Sequence, residues 1–252
     1  MNQHRVAIVT GGARGIGAAI AGALAEDGLS VAVADLDGAA ARATAAALGA
    51  PHRAYEVDVT REASVAALFD GVEADLGRPS VLVTSAGILL FKPDGDRPLV
   101  VETDLDHWQR TMTVNATGCF LCCREYARRA PKDDPLGRVV TISSVAAQLG
   151  GYRSSAAYIA SKSAVLGLTK ALGRELAERR ITVNSVAPGL IDAPMLRLSL
   201  DPADDARAAA NIPLNRLGQP ADVAAAVRFL VSPAAGYLTG VTIDVNGGYR
   251  MQ

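Results

Sequence analysis

Short runs dense in Val and Ile alternate with longer stretches rich in Ala, Leu, Arg and Glu from one end of the chain to the other. The short runs fall at 6–10, 30–35, 54–57, 81–84, 138–142, 181–186 and 242–245. They show little polar alternation, the pattern of strands buried on both faces of a parallel sheet covered by helices. Between them, 16–27, 39–48, 63–76, 108–129, 156–179 and 220–230 read as helices. Gly28 and Gly77 serve as stops, and Thr60 and Ser154 as candidate caps. The alternation predicts a doubly wound α/β fold with a seven-stranded parallel sheet flanked by helices on both faces. No linker, repeat or composition break divides residues 1–252, so one domain is expected. Two irregular stretches, 87–106 and 188–212, exceed ordinary connection length and leave the carboxyl ends of strands. Open α/β sheets bind ligands there, so both are read as substrate loops.

Composition removes several classes of function. Half of the residues are hydrophobic, which excludes intrinsic disorder. Twenty-five basic side chains against 26 acidic ones leave a formal charge of −1, so no global field favours nucleic acid or an anionic membrane. The first apolar run, 6–10, is too short for a signal segment and meets Gly11 rather than a cleavage site. No uninterrupted apolar stretch reaches the roughly 20 residues that span a bilayer. Three cysteines cannot staple a secreted scaffold and fit a reducing compartment, so a cytoplasmic protein is expected. Cys119, Cys122 and Cys123 lie within one helical stretch and read as packing residues. His4, His52 and His107 show no ligand spacing, so no metal site is expected.

Thr10-Gly11-Gly12-Ala13-Arg14-Gly15-Ile16-Gly17 joins the first strand to the first helix. Glycines at 11, 15 and 17 permit a tight turn and let backbone N–H groups approach a pyrophosphate at the positive end of a helix dipole. A packing turn is the blander reading of such a cluster. Asp35, which ends the second strand, raises the odds of a nucleotide, because an acid there accepts hydrogen bonds from a ribose 2′-OH. Its charge, with Asp37 nearby, repels a 2′-phosphate, whereas Arg14 attracts one; the nearer Asp35 favours NAD over NADP. Asp58-Val59 ends the third strand, as an adenine edge or as a helix cap.

Tyr158-Ile159-Ala160-Ser161-Lys162 puts a phenol and an ammonium at i and i+4 on one helix face. With six Tyr and four Lys in the chain, chance supplies such a pair about 0.1 times, so the spacing is informative. A cation within about 4–6 Å favours the phenolate and is expected to lower the Tyr158 pKa, making it a proton acceptor or donor for an alcohol. Ser144, ending the fifth strand after Ser143, can hold the substrate oxygen against Tyr158; a strand-end turn is its simpler role. Asn115, inside an apolar helical stretch, wants a buried partner or a water: a proton-relay water or a satisfied core amide.

Together these motifs resemble the short-chain dehydrogenase/reductase family over nearly the whole length, in its 3-oxoacyl carrier-protein reductase-like branch. Pro188-Gly189 and Asn246-Gly247-Gly248 extend the likeness. The resemblance implies a Rossmann-type fold with Tyr158 as acid/base. It implies that Lys162 tunes the phenol and holds the nicotinamide ribose, that Ser144 orients substrate and that Asn115 anchors a relay water. It also implies that Gly11, Arg14, Gly15, Ile16 and Gly17 bind pyrophosphate and that Pro188, Gly189 and Ile191 border the nicotinamide. Two departures stand out. Thr84-Ser85-Ala86-Gly87 replaces the family's Asn-Asn-Ala-Gly, which weakens the sheet-bracing role of Ser85 while Ala86 and Gly87 still admit the cofactor. Ala193 replaces a frequent Thr.

The expected activity is NAD(H)-dependent interconversion of a secondary alcohol and a ketone. An NADPH-dependent 3-oxoacyl carrier-protein reductase is the alternative, supported by the stretch 212–248; a non-catalytic NAD sensor is a third possibility. The expected partner is a small-molecule alcohol or ketone, within a homotetramer or homodimer. Specificity is expected from 88–106, 145–155 and 190–212, including Leu89, Leu90, Phe91, Leu149, Tyr152, Met195 and Leu196.

Overall fold

Five consecutive buried residues form β1 (Val6–Thr10) in the interior of the sheet. The computed structural model describes residues 5–93, 95–151 and 153–251; the readings of residues 1–4 and of Tyr152 lie outside them. The other strands are β2 (Ser30–Asp35), β3 (Arg53–Glu56), β4 (Pro79–Thr84), β5 (Arg138–Ile142), β6 (Thr182–Pro188) and β7 (Thr242–Val245). They form one seven-stranded sheet in the order β3-β2-β1-β4-β5-β6-β7, and every neighbouring pair is parallel. Thr10 is in register with Ala34 on one side and Thr84 on the other. The chain reverses its winding between β1 and β4, which opens a crevice at their carboxyl ends.

Among the described residues nine α-helices accompany the sheet: α1 (Gly15–Glu26), α2 (Gly38–Leu48), α3 (Glu62–Asp75), α4 (Leu105–Met112), α5 (Gly118–Arg129), α6 (Ala146–Leu149), α7 (Ala156–Glu175), α8 (Asp205–Ala209) and α9 (Pro220–Val231). The period of two along each strand splits the core into two layers. Ala7 and Val9 face α1 and α9 through Ile20, Leu24, Val223 and Val227. Val6 and Ile8 face α3, α5 and α7 through Phe69, Leu121, Tyr126 and Val165. The three cysteines are unbridged and buried in this second layer, as their helical spacing suggests.

Several boundaries differ from the sequence reading. The stretch 108–129 is not one α-helix: it starts at Leu105, capped by Asp104 accepting from the His107 N–H, and is interrupted by a π-helical turn, Thr113–Thr117, between α4 and α5. Asn115 lies in that turn. Ser155, not Ser154, caps α7 by accepting from the Tyr158 N–H. Thr60 caps nothing, because its hydroxyl donates to Asp58. The 87–106 loop contains a 3₁₀ turn at Val100–Glu102, and 188–212 contains α8 and two 3₁₀ turns.

Candidate active site

The β1–α1 turn is pressed onto the exit of β4. Gly11 adopts φ +67°, and a Cβ there would lie 2.7 Å from the Ala86 backbone. A Cβ on Gly17 would lie 2.0 Å from the Gly11 carbonyl oxygen, so only hydrogen fits. The α1 N-cap, Arg14, offers no side-chain acceptor to the first turn. Gly15, Ile16 and Gly17 border the cleft, so a helix N-terminus with unsatisfied N–H groups opens onto it. That cradle fits a pyrophosphate.

One step along the crevice, the two Asp35 oxygens accept from the Ala13 and Asp37 N–H groups, each at 3.1 Å. Asp37 caps α2 through the Ala40 N–H and pairs with Arg14. The Ala40 amide chiefly, then Arg14, hold the Asp37 carboxyl below its ordinary value. Asp58 accepts from both the hydroxyl (2.6 Å) and the N–H (2.9 Å) of Thr60, and these bonds lower its pKa. Asp58 therefore braces the turn before α3 rather than capping the helix, whose N-cap is Arg61.

At the other end, Ser143 and Ser144 have separate roles. The buried Ser143 hydroxyl donates to the Lys162 carbonyl at 2.9 Å and ties β5 to α7. Ser144 Oγ accepts from the Ala146 N–H at 3.1 Å and borders the cleft. Tyr158 stands in the first turn of α7, only 7% exposed, with its hydroxyl 4.0 Å from the Met195 sulfur. Lys162 follows one turn later. Its ammonium donates to the Ile142 carbonyl at 2.8 Å and lies 5.9 Å from the centre of the Tyr158 ring.

The electrostatics depart from the sequence expectation. Burial raises the Tyr158 pKa, and the opposing pull comes from the Ser144 hydroxyl. Burial also lowers Lys162, to about 8. The ammonium is directed at a main-chain carbonyl rather than at the phenol oxygen, so desolvation dominates and Tyr158 is held as the neutral phenol.

One cleft of about 1200 Å³ brings the sites together. It is lined by Gly11, Arg14, Gly15, Ile16, Gly17, Asp35, Asp58, Val59, Ser85, Ala86 and Gly87 at the end beside β1 and α1. Ser144, Tyr158, Lys162, Pro188, Gly189 and Ile191 line the other end. Asn115 is the exception. It lies beneath the floor, its Oδ1 3.3 Å from where a Gly87 Cβ would stand, and its amide is satisfied by Ile88 and Ser161. The sequence reading missed Gln109, Arg110 and Thr113, which line the cleft because α4 begins inside the supposed loop, and Tyr249 beyond β7. Asp104 before Leu105 and Trp108 was the available signal for the first three. Among the described residues no group of three or more His, Cys, Asp or Glu side chains gathers as a metal site, and no helix is long and apolar enough to cross a membrane.

Residues 11–250 match the family model described as enoyl-(acyl carrier protein) reductase. The chain is 31% identical to a solved short-chain type dehydrogenase/reductase from Mycobacterium marinum, which superposes with a TM-score of 0.87 over 98% of this chain and 96% of that one. The chain belongs to the short-chain dehydrogenase/reductase family. Among relatives of this oxidoreductase family, it is 38% identical to the (3R)-3-hydroxyacyl-CoA dehydrogenase of Mus musculus, over 99% of this chain and 97% of that protein. It is 36% identical to the 3-oxoacyl-(acyl-carrier-protein) reductase FabG of Vibrio cholerae, over 99% and 98% respectively. These matches place it in the FabG-like branch of the short-chain dehydrogenases/reductases.

Proposed function

We propose that the protein is an NAD(H)-dependent oxidoreductase that interconverts a secondary alcohol and a ketone, with Tyr158 as general acid/base. One observation carries this reading: Ser144 and Tyr158 occupy one end of the same cleft whose other end presents Asp35 and the N-terminus of α1. The two relatives support it, since a hydroxyacyl dehydrogenase and an oxoacyl reductase are named for the two sides of a hydroxyl/ketone pair.

Pro188, Gly189 and Ile191 would hold a nicotinamide, which when bound would supply or take the hydride. The Ser144 hydroxyl holds the substrate oxygen beside the Tyr158 phenol, and the phenol gives or takes the proton at that oxygen. Lys162, one turn along α7, would bind the ribose hydroxyls and add positive charge to the site. Asn115 fixes the Ile88 backbone and, through the Ser161 hydroxyl, the carbonyl of Tyr158, where a relay water can be anchored. Pro188, Gly189, Ile191, Asp58 and Val59 all line the cleft; the first three would wall the nicotinamide and the last two the adenine.

NAD is preferred over NADP because two carboxylates, Asp35 and Asp37, stand where a 2′-phosphate would go. The only nearby guanidinium among the described residues lining that end of the cleft, Arg14, is already paired with Asp37. The NADPH-dependent 3-oxoacyl reductase reading has the FabG likeness in its favour and the same two carboxylates against it. We further propose a cytoplasmic homotetramer or homodimer joined through α5 and the helix of Tyr158, where Phe120 is left 42% exposed. Light scattering tests the assembly; a monomer contradicts it.

The function is tested by following NAD(H) oxidation state with sugar alcohols, cyclic alcohols and acetoacetyl thioesters. Turnover with NAD(H) exceeding that with NADP(H) supports the reading. Turnover with NADP(H) alone favours the reductase alternative, and dinucleotide binding without turnover on any of them favours a sensor.

A further inference from the structure

We infer that the substrate carries a carboxylate and that Arg153 binds it, an inference that rests on the oxidoreductase reading and specifies its substrate class. Arg153 lies in the connection between α6 and α7, five residues before Tyr158, and is partly buried. Its Nη1 donates to the Ser199 carbonyl at 2.7 Å, which fixes the head group between the segment after β5 and the segment after β6. Arg153 and Ser199 both line the main cleft and both border a second cavity of about 390 Å³. The guanidinium therefore stands on the boundary of the two spaces.

The surroundings single out this cation. Arg14 is paired with Asp37, and the Lys162 ammonium is directed at Ile142. Lys92 and Glu102, which border the smaller cavity, are paired with each other, and Arg97 donates to the Ser154 carbonyl. Asp96 also borders that cavity, yet among the described residues no carboxylate comes within 4.0 Å of Arg153. Arg110 of α4 also lines the cleft but is exposed to solvent, whereas Arg153 is partly buried. The wall shared with Arg153 is apolar: Leu149, Met195 and Leu196. Arginine carries five N–H donors, and one carbonyl leaves most of this fork unused in a partly desolvated position. A planar carboxylate matches the remaining fork with two parallel hydrogen bonds. A small hydroxy- or oxo-carboxylate can then reach Ser144 and Tyr158 with its hydroxyl-bearing carbon while its anion meets Arg153.

The test uses 3-hydroxybutyrate and 4-hydroxypentanoate, each beside its methyl ester, with NAD⁺ and the full-length protein. Wild type should favour each acid over its ester in kcat/KM by about tenfold or more. Arg153→Gln should lower kcat/KM for the acids by about 30-fold or more, chiefly through KM, and leave the esters within about threefold. Arg153→Lys should recover part of the loss. Acids and esters falling together would show that Arg153 only struts the loops, and a wild type indifferent to the charge would overturn the inference at once. A loss confined to acetoacetyl-CoA and absent for acetoacetyl-N-acetylcysteamine would assign Arg153 to a carrier phosphate and contradict the carboxylate. Ester turnover without acid preference sinks this inference alone. If neither acids nor esters react, the oxidoreductase reading fails on these probes. The inference is then decided by equilibrium binding of both acids to the NADH-loaded protein, where unchanged affinity in Arg153→Gln overturns it.

Discussion

Asn115 and Ile88 clamp each other through two hydrogen bonds: Asn115 Oδ1 accepts from the Ile88 N–H at 2.8 Å, and Nδ2 donates to the Ile88 carbonyl at 2.9 Å. Nδ2 also donates to Ser161 Oγ at 3.0 Å, and that hydroxyl donates to the Tyr158 carbonyl. A side chain in the π-helical turn thus holds both the strand exit that floors the cleft and the helix that carries the phenol. Asn115→Ala leaves the Ile88 N–H and carbonyl without their side-chain partner and removes one of the two hydrogen bonds at the buried Ser161 hydroxyl. It should cost about 2 kcal/mol or more of stability and reduce turnover. Denaturant unfolding beside kcat measures both; an unchanged midpoint with unchanged kcat would remove Asn115 from the site.

The proposed ribose contact at Asp35 yields a cofactor prediction. Asp37→Ser retains a side-chain acceptor for the α2 N-terminus and releases Arg14 from its pair. The ratio of kcat/KM for NAD over NADP should fall by about tenfold. Asp35→Ala should lower the same ratio by removing the nearer carboxylate. A ratio unmoved by both substitutions would transfer the ribose contact to other residues.

The pH dependence follows from burial. Tyr158 is raised by desolvation, so at neutral pH it carries its proton. Ketone reduction needs that proton and should be level near neutrality, then fall in alkaline solution as the phenol ionises. Alcohol oxidation needs the phenolate and should climb through the same range. Lys162, lowered to about 8, loses its charge within it. Initial rates in both directions between neutral and alkaline pH check the signs. An oxidation rate already level below neutrality would mean a phenol shifted downward instead.

Much of this was legible in the chain. Alternating Val/Ile runs located every strand to within a few residues, because a doubly covered sheet leaves no polar alternation to confuse the reading. The edge strand β3 was displaced by one residue, at Arg53–Glu56, where exposure at both ends weakens the apolar signal. β6 runs two residues further than expected, to Pro188, because Val245 of β7 pairs with it, a long-range partner that local propensity does not reveal. The π-helical turn was invisible, since no proline interrupts the chain between Trp108 and Arg129 and the extra residue of a π turn leaves no mark in composition. Cys119, Cys122 and Cys123 behaved as their helical setting suggested. The direction of the Tyr158 shift was not legible: spacing put Lys162 on the same helix face, but the Ile142 carbonyl that captures the ammonium comes from β5.

Gly17 tests the phosphate cradle. A methyl group there meets the Gly11 carbonyl oxygen at 2.0 Å, so Gly17→Ala must open the turn. NADH affinity should fall by about 100-fold, while far-ultraviolet circular dichroism stays close to wild type. Fluorescence titration with NADH reads the first, and full retention of affinity would place the pyrophosphate elsewhere.

The account centres on proton transfer at one phenol, and Tyr158→Phe removes only that oxygen. Turnover of any alcohol or ketone that wild type accepts should fall by about 100-fold or more, with NADH affinity within about threefold of wild type. Turnover retained within tenfold, at unchanged cofactor affinity, would contradict Tyr158 as the acid/base.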